Sequence, residues 1–368
     1  MACRRLCAAG GQSIGHCHRL DKSRRRFVAV PLPVCRYHGP LGFLLCNHGR
    51  RALELAAMTD HADICAAHPL VLASRASALA VAQAEIVRDR LAPLAAEIRT
   101  MTTRGDRILD RSLADAGGKG LFVKELERRL LDGDCDAAVH SMKDMETVFA
   151  AGTMIAAVLP REDRRDALVG GHAGLDDLPR GAVVGTASVR RKAILLQRRP
   201  DLRIKLLRGN INTRIAALDE GRYDAIILAM AGLRRLGLDV AHVPLDPAVM
   251  PPAAAQGALA IQTRIASDAR SRAVAEAFAG LNCVASAAEV SAERACLGYL
   301  DGSCHTPISA SATMGGDGVL SLTAMILSPD GSAAFDASGV APADDGARLG
   351  RDLGAQLLDA AGGRGFLA

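Results

Sequence analysis

The chain has no tryptophan, three tyrosines and seven phenylalanines in 368 residues. So few rings argue against a binder built on base stacking or aromatic cages. No apolar run reaches the roughly 18–20 residues that a membrane-spanning helix needs. The ten cysteines include no CxxC pair, and their spacing with the histidines fits no zinc pattern. The "GGKG" at 117–120 lacks both the longer Gly-to-Lys spacing of a P-loop and the Ser or Thr that follows it. No GxGxxG follows the first strand of the body. Nucleoside triphosphates and a dinucleotide-dependent oxidoreductase are therefore disfavoured.

What is present is unevenly distributed. The formal net charge is +5, but residues 1–57 hold ten Lys/Arg against Asp21 and Glu54. The remaining residues carry 35 bases and 38 acids, a net of −3. A nearly neutral body does not look like a nucleic-acid protein, so its arginines need a local explanation. Five cysteines (Cys3, Cys7, Cys17, Cys35, Cys46) fall in the same basic segment. Cys65, Cys135, Cys283, Cys296 and Cys304 are scattered through the rest and read as reduced thiols. The first 57 residues show no sustained periodicity. Three readings compete for them: an Arg-rich, acid-poor transit peptide, a Cys/His metal site, and a start assigned too early, with Met58 as the true beginning.

At this length two or three domains are expected. "PLVLAS" (69–74) reads as a strand and 77–92 as a helix, with Leu79, Ala82 and Ile86 on its apolar side. "EIRTMTT", "CDAAVHS" and "MIAAVL" read as strands. The stretch "GGKGLFVKELERRLL" reads as a turn entering a helix, with Phe122, Leu126 and Leu130 on one side. From 164, strand–turn–helix recurs three times, in "GAVVGTASVRRKAILLQRR", "RIKLLRGNINTRIAALDEG" and "YDAIILAMAGLRRLG". Such alternation implies parallel sheets. "PPAAAQGALAIQTR" offers a strand that returns to the first unit. After 280 the helix "AAEVSAERACLGYL", three hairpin-linked strands and a last helix form an antiparallel meander.

Polar groups collect where strands should end. Arg75 and Ser77, then Thr186, Ser188, Arg190 and Arg191, then Arg208 and Arg214, then Arg234 and Arg235 each follow a predicted strand. Helix N-termini favour anions, and arginine adds bidentate recognition of carboxylate or phosphate. One such arginine reads equally well as a solvated helix face; four sets at equivalent ends imply a ligand with several negative charges. Lys119 either pairs with an anion or is a solvated turn lysine. In "AVHSMKD", His140 reads as a packed histidine. Asp144 either starts the next turn or stabilises a cation and shuttles protons at a strand end. Lys143 points away from Asp144 if the chain stays extended. Cys304, on the loop "DGSCHTP", reads either as a free loop thiol or as a nucleophile or covalent anchor.

Taken together, "TTRGDRILD", "GGKGLFVKELE", "AVHSMKD", "REDRRDAL", "VGTASVRR", "QRRPDL", "LRGNINTR", "YDAIILAMAGLRRLG" and "SAERA" resemble, in order, the blocks of the porphobilinogen deaminase (hydroxymethylbilane synthase) family. The resemblance runs from about residue 69 to the end of the chain. It implies an α/β fold: two α/β domains like those of periplasmic binding proteins around a cleft, plus a smaller C-terminal α+β domain. The corresponding boundaries are an N-terminal extension at 1–67, disordered or outside the true start, and a first domain at 68–160 with about 257–276. A second domain spans 164–252 and a third, carrying the cofactor loop, 280–368. It implies a transferase that condenses four porphobilinogens head to tail, releasing ammonia each time, on a dipyrromethane cofactor held by a thioether. By the resemblance Cys304 holds that cofactor and Asp144 is the catalytic aspartate. Lys143, Ser141, Thr186, Ser188, Arg190, Arg191, Arg208 and Arg214 fall at cofactor-binding positions. Arg75, Ser77, Lys119 and Arg235 fall at substrate-binding positions. No metal, nucleic-acid or membrane partner is implied. A cytoplasmic monomer is implied, plastid or mitochondrial only if residues 1–57 are a transit peptide.

The chain departs from the family pattern at several points. Met145-Glu146 replaces Val-Pro after Asp144, Ser303 replaces Gly before Cys304, and His305-Thr306 replaces Gln-Val after it. Ala78 follows Ser77 where proline is usual, Ala187 stands for Ser, Ala255 for Gly, and Asp115 where lysine is common. Two rival readings remain open on the residues: a two-lobed anion-binding module without catalysis, and a degenerate relative that turns over slowly.

Overall fold

The computed structural model describes residues 14–20, 27–33, 64–65, 67–103, 120, 123–302 and 306–367. The chain divides into two compact units, Met1–Arg50 and Arg51–Ala368. In the first, β1 (Ile14–Leu20) pairs antiparallel with β2 (Phe27–Pro33), from Ile14 opposite Pro33 to Leu20 opposite Phe27. These two stretches fall in the segment expected to be disordered or outside the true start. The mixed Gly/His/Arg content of β1 gives no period-2 signal, so the pairing is not visible from alternation.

The second unit contains three sheets. The first runs β4 (Ala96–Met101), β3 (Leu70–Arg75), β5 (Ala137–Ser141), β12 (Leu259–Arg264), β6 (Thr153–Val158). The second runs β11 (His242–Pro244), β7 (Asp166–Val169), β10 (Ala225–Ala229), β8 (Val183–Gly185), β9 (Arg203–Lys205). The third is β13 (Ile308–Met314), β14 (Val319–Leu327), β15 (Ala334–Pro342), antiparallel throughout.

The expectation of parallel sheets holds for β3 with β4 and β5, and for β8 with β9 and β10. It fails elsewhere: β12 runs against both β5 and β6, β7 against β10, and β11 against β7. The chain passes from the first sheet to the second through 159–165 and returns through 245–258. Strands that enter from such a crossing have no helix folding them back, so nothing forces the parallel direction.

Helix α1 (Ala78–Leu91) starts at Ser77, whose hydroxyl accepts from the Ala80 N–H at 3.3 Å. Its buried face is Ala80, Gln83, Ala84, Val87 and Leu91 rather than the Leu79–Ala82–Ile86 side expected. Alanine on every side blurs the contrast that a 3.6-residue period needs. Helix α2 (Lys124–Asp132) buries Leu126 and Leu130 completely, each contributing about 1.5–3 kcal/mol of apolar burial. Helices α3 (Val189–Arg198), α4 (Ile211–Asp219) and α5 (Met230–Arg235) follow β8, β9 and β10. Helix α6 (Ala269–Ala279) packs on the first sheet. Helices α7 (Val284–Tyr299) and α8 (Gly346–Ala360) cover the third.

A buried ionic knot fastens the crossings to α7. Glu293, fully buried, accepts from Arg161 at 2.7 and 3.0 Å, from the Ala312 N–H at 2.7 Å and from the Ala255 N–H at 2.6 Å. Glu289 accepts from Arg164 at 2.7 Å and from the Met314 N–H at 3.0 Å. Burial works against the Arg161 cation, and Glu293 and Glu289 outweigh it, raising its pKa. Removing one partner from such a cluster leaves a buried charge uncompensated, at about 3–5 kcal/mol. Glu293→Ala is expected to lower unfolding free energy by that amount in a denaturant titration. A loss under 1 kcal/mol would mean that the knot contributes little.

Candidate active site

The carboxyl ends of β3 and β5 face the helix starts of the second sheet across a cleft of about 870 Å³. Arg75 and Ser77 enter from the end of β3, and Ser141, Lys143 and Asp144 from the end of β5. Ser188, Arg190 and Arg191 enter from the start of α3, Arg208 and Arg214 from the turn and start of α4, and Arg235 from α5. Ligand sites in open α/β sheets lie at these strand ends. Among the described residues the lining holds eight cationic side chains against two carboxylates, Asp144 and Glu146. That imbalance calls for a ligand of several negative charges.

The backbone explains the convergence. After Ser141 the chain does not stay extended. Met142–Asp144 form a 3-10 turn held by the Met142 N–H on the Ala258 carbonyl at 3.0 Å, so Lys143 and Asp144 both reach the cleft. The condition under which they would point apart, a chain that stays extended, is therefore not met. Ser188 caps α3, accepting from the Arg191 N–H at 3.4 Å, and Asn210 caps α4, accepting from the Thr213 N–H at 2.9 Å. Gly209 has φ +104, and a Cβ there would stand 2.9 Å from Thr213. Only glycine makes that turn without strain.

Arg190 and Arg191 were expected at cofactor-binding positions, where arginine suits bidentate recognition of anions. Instead their terminal nitrogens are shared with Asp166, each at 2.7 Å. Arg191 also donates to the Ile227 carbonyl at 2.8 Å, and Arg190 to that of Pro251. Both are nearly fully buried, and Asp166 is completely so. The Nε of each arginine has no hydrogen-bond partner, so each keeps one donor for a ligand. Gln256 extends the cluster: its amide donates to Asp166 at 2.8 Å and accepts from Lys143 Nζ at 3.0 Å.

The charges respond to these surroundings. Burial would raise the Asp166 pKa, but Arg190 and Arg191 overcome it and hold the carboxyl well below its usual range. Burial, reinforced by Arg191 and opposed by Asp144 and Asp166, brings Lys143 down to about 8. Burial lowers Arg214 to about 10, with Arg191 and Arg208 adding to it, and lowers Arg235 to about 10. Arg214 and Arg235 stay cationic at neutral pH. Because the folded Asp166 pKa is depressed, its contribution is present above the unfolded value of about 3.9 and lost as pH falls below it. Thermal midpoints are expected to drop between about pH 4 and pH 2, with a shallower slope in Asp166→Asn; equal slopes would remove Asp166 from the acid transition.

Thr186 does not line the cleft. It is buried, and its hydroxyl accepts from the Ser188 N–H at 3.1 Å, so it shapes the turn that presents Ser188. Arg214 donates to the Gly209 carbonyl at 2.9 Å and Arg235 to that of Gly257 at 2.6 Å. Arg234 leaves the cleft to pair with Glu162 at 2.9 Å and Asp163 at 3.0 Å. His140 is buried, and burial brings its pKa down to about 4. Cys296 is core; Cys283 is only half-buried, ahead of α7. Cys304 and Lys119 lie outside the described residues, but Gly302 and Thr306, which bracket Cys304, both line the cleft.

Three residues went unread in the sequence. Gln83, buried on α1, exchanges hydrogen bonds with Ser141 at 2.8 and 3.1 Å. Asp166 sits in the charged run "REDRRDAL", and Gln256 follows "PPAAA". For Gln83 and Gln256 the available signal was a polar residue within a run of small apolar ones; Asp166, inside a charged run, gave none. Ala255, where glycine is usual, has φ 59, a left-handed conformation costing a non-glycine residue roughly 1–2 kcal/mol.

Cleft and fold define a two-sheet α/β protein that gathers a polyanion around an exposed aspartate, with a loop from a third sheet at its edge. The family model described as "Porphobilinogen deaminase, dipyromethane cofactor binding domain" matches residues 70–272, and its C-terminal domain model matches 287–359. A porphobilinogen deaminase of Paracoccus denitrificans is 49% identical over 298 residues, 79% of this chain and 94% of that protein. One of Chromobacterium violaceum is 48% identical over 305 residues, 81% of this chain and 97% of that protein. The chain belongs to the porphobilinogen deaminase family. Among solved structures, the Bordetella pertussis BvgS VFT2 domain aligns over 58% of this chain and 84% of its own, at 17% identity and TM-score 0.33. An amino-acid transporter binding protein of Bacillus subtilis aligns over 57% and 89%, at 14% identity and TM-score 0.33.

Proposed function

We propose that this chain condenses four porphobilinogens into hydroxymethylbilane, with Asp144 as its catalytic carboxylate and Cys304 as the anchor of its dipyrromethane. The observation that carries this reading is the convergence of the family's blocks on one cationic cleft that also receives Asp144 and both neighbours of the Cys304 loop. Each pyrrole brings two carboxylates, and the cleft offers arginines from four separate strand ends to take them. The unpartnered Nε atoms of Arg190 and Arg191 suit an acidic, covalently held ligand. When bound, the dipyrromethane would supply the free α-carbon onto which the first of the four pyrroles is added.

The chain's own residues orient and stabilise. Arg75, Ser77 and Arg235, with Lys119, receive the incoming pyrrole's carboxylates. Ser141, Lys143, Ser188, Arg190, Arg191, Arg208 and Arg214 hold the carboxylates of the growing chain, and Thr186 fixes the turn that presents Ser188. As ammonia leaves, positive charge develops on the incoming ring, and the Asp144 carboxylate stabilises it and then accepts the proton released when the new bond forms. Arginines whose forks are held by Asp166 and by carbonyls do not reorganise at each step, which favours a charged transition state.

We also take the three sheets to be three domains with the boundaries given above, and the protein to be a cytoplasmic monomer. Cys135 and Cys296 are buried free thiols, which suits a reducing compartment, and one chain supplies the whole described lining of the cleft. Purified protein incubated with porphobilinogen is expected to release ammonia and form the linear tetrapyrrole. Binding of porphobilinogen without ammonia release would favour the non-catalytic module instead.

A further inference from the structure

We propose that Glu146 receives the aminomethyl ammonium of the incoming porphobilinogen and so selects for substrates that carry that amine. This rests on the function proposed above. A substrate that loses ammonia brings a cationic amine as well as two carboxylates. The described lining of the cleft offers that cation only two anionic side chains, Asp144 and Glu146, among eight cations. Neither carboxylate has a hydrogen-bond or ion-pair partner among the described residues.

The two carboxylates have different work. When the C–N bond breaks, its electron pair leaves with nitrogen as NH3. The ring nitrogen's lone pair fills the gap, and the single positive charge moves from the amine onto the ring. A carboxylate that stabilises the ring charge must lie beside the ring; one that holds the amine must lie beyond the methylene carbon. With Asp144 assigned to the ring charge, Glu146 is the other carboxylate among the described lining residues and is left for the second role.

Its backbone is held by α7; its carboxylate has no hydrogen-bond or ion-pair partner among the described residues and lies within electrostatic reach of Arg294. Arg294 on α7 donates to the Met145 carbonyl at 3.3 Å and to the Glu146 carbonyl, and lies 4.9 Å from the centre of the Phe149 ring. The Glu146 Cγ lies beside Gly120, 3.5 Å from where a Cβ would stand. Anchored in this way, the half-buried side chain stays at one part of the cleft wall.

The test compares two ligands on the full-length enzyme: porphobilinogen, and an analogue with methyl in place of aminomethyl. In Glu146→Gln the KM for porphobilinogen is expected to rise about tenfold to a hundredfold, as for loss of a charge-assisted contact. The inhibition constant of the methyl analogue is expected to stay the same or fall, because a negative charge near its carboxylates has gone. Glu146→Asp should keep part of the preference for the amine. An unchanged KM, or equal changes in both constants, would overturn the proposal. Failure of the wild-type chain to release ammonia would instead overturn the proposed function, and is read before any variant.

Discussion

Asp144→Asn is expected to lower kcat by about 10²–10⁴, the usual range for a positioned acid–base group. Asparagine keeps the size of the side chain but turns one acceptor oxygen into a donor amide and removes the charge and the base, so the loss reports the carboxylate. Asp144 is exposed at the end of a 3-10 turn, and its carboxylate has no hydrogen-bond or ion-pair partner among the described residues. Folding stability should therefore change by no more than about 0.5 kcal/mol, as at ordinary exposed positions. The two readouts separate the roles. A fall in kcat with an unchanged melting transition marks a group acting on the reaction. A loss of less than tenfold would remove Asp144 from the chemistry and return it to the role of turn residue.

Cys304→Ser is expected to abolish sustained turnover. At pH 7 a cysteine holds a few per cent of thiolate, whereas a serine hydroxyl is not ionised and forms no comparable bond without a base. The wild-type protein should exceed its sequence mass by two linked pyrrole units, and the serine variant should not. Retention of the extra mass in the variant would assign the attachment elsewhere. Among the other thiols, Cys135 and Cys296 are buried, and burial pushes them up to about 11 and about 12. Both are held in the unreactive form, so neither competes with a loop cysteine for the role.

Much of the cleft was legible because its arginines sit in the strand–turn–helix segments that follow strand ends, an order visible in the sequence. What those arginines do next was not. "REDRRDAL" reads as a solvated charge run, yet Asp166 is buried beneath Arg190 and Arg191 and takes one nitrogen from each. A residue's partners across 24 positions are set by how two strand ends approach, which no local pattern encodes. The direction of Lys143 was open for a similar reason: it depended on whether the strand continues, and here the Ala258 carbonyl captures the Met142 N–H and a turn starts. On α1 the strand–helix order was right and the buried face was wrong. Leu79 and Ile86 outweigh alanine on any hydropathy scale, but Ala80, Ala84 and Val87 are the side chains that fit against the sheet. Gln83 joins them because Ser141 satisfies it, and such a pairing is known only once both elements are placed.

The order of strands in the first sheet bears on how the chain is made. β6 pairs only with β12, and β12 enters between β5 and β6 from the far side of the second sheet. On a ribosome, β6 therefore emerges about a hundred residues before its neighbour, at roughly 5–20 residues per second. For that interval β5 and β6 present open edges, the kind that other chains pair with. The second sheet draws all five strands from residues 166–244 and closes without waiting. Nascent chains should acquire the later sheet first. A stall before residue 259 leaves the earlier one exposed to aggregation, whatever the stability of the finished enzyme.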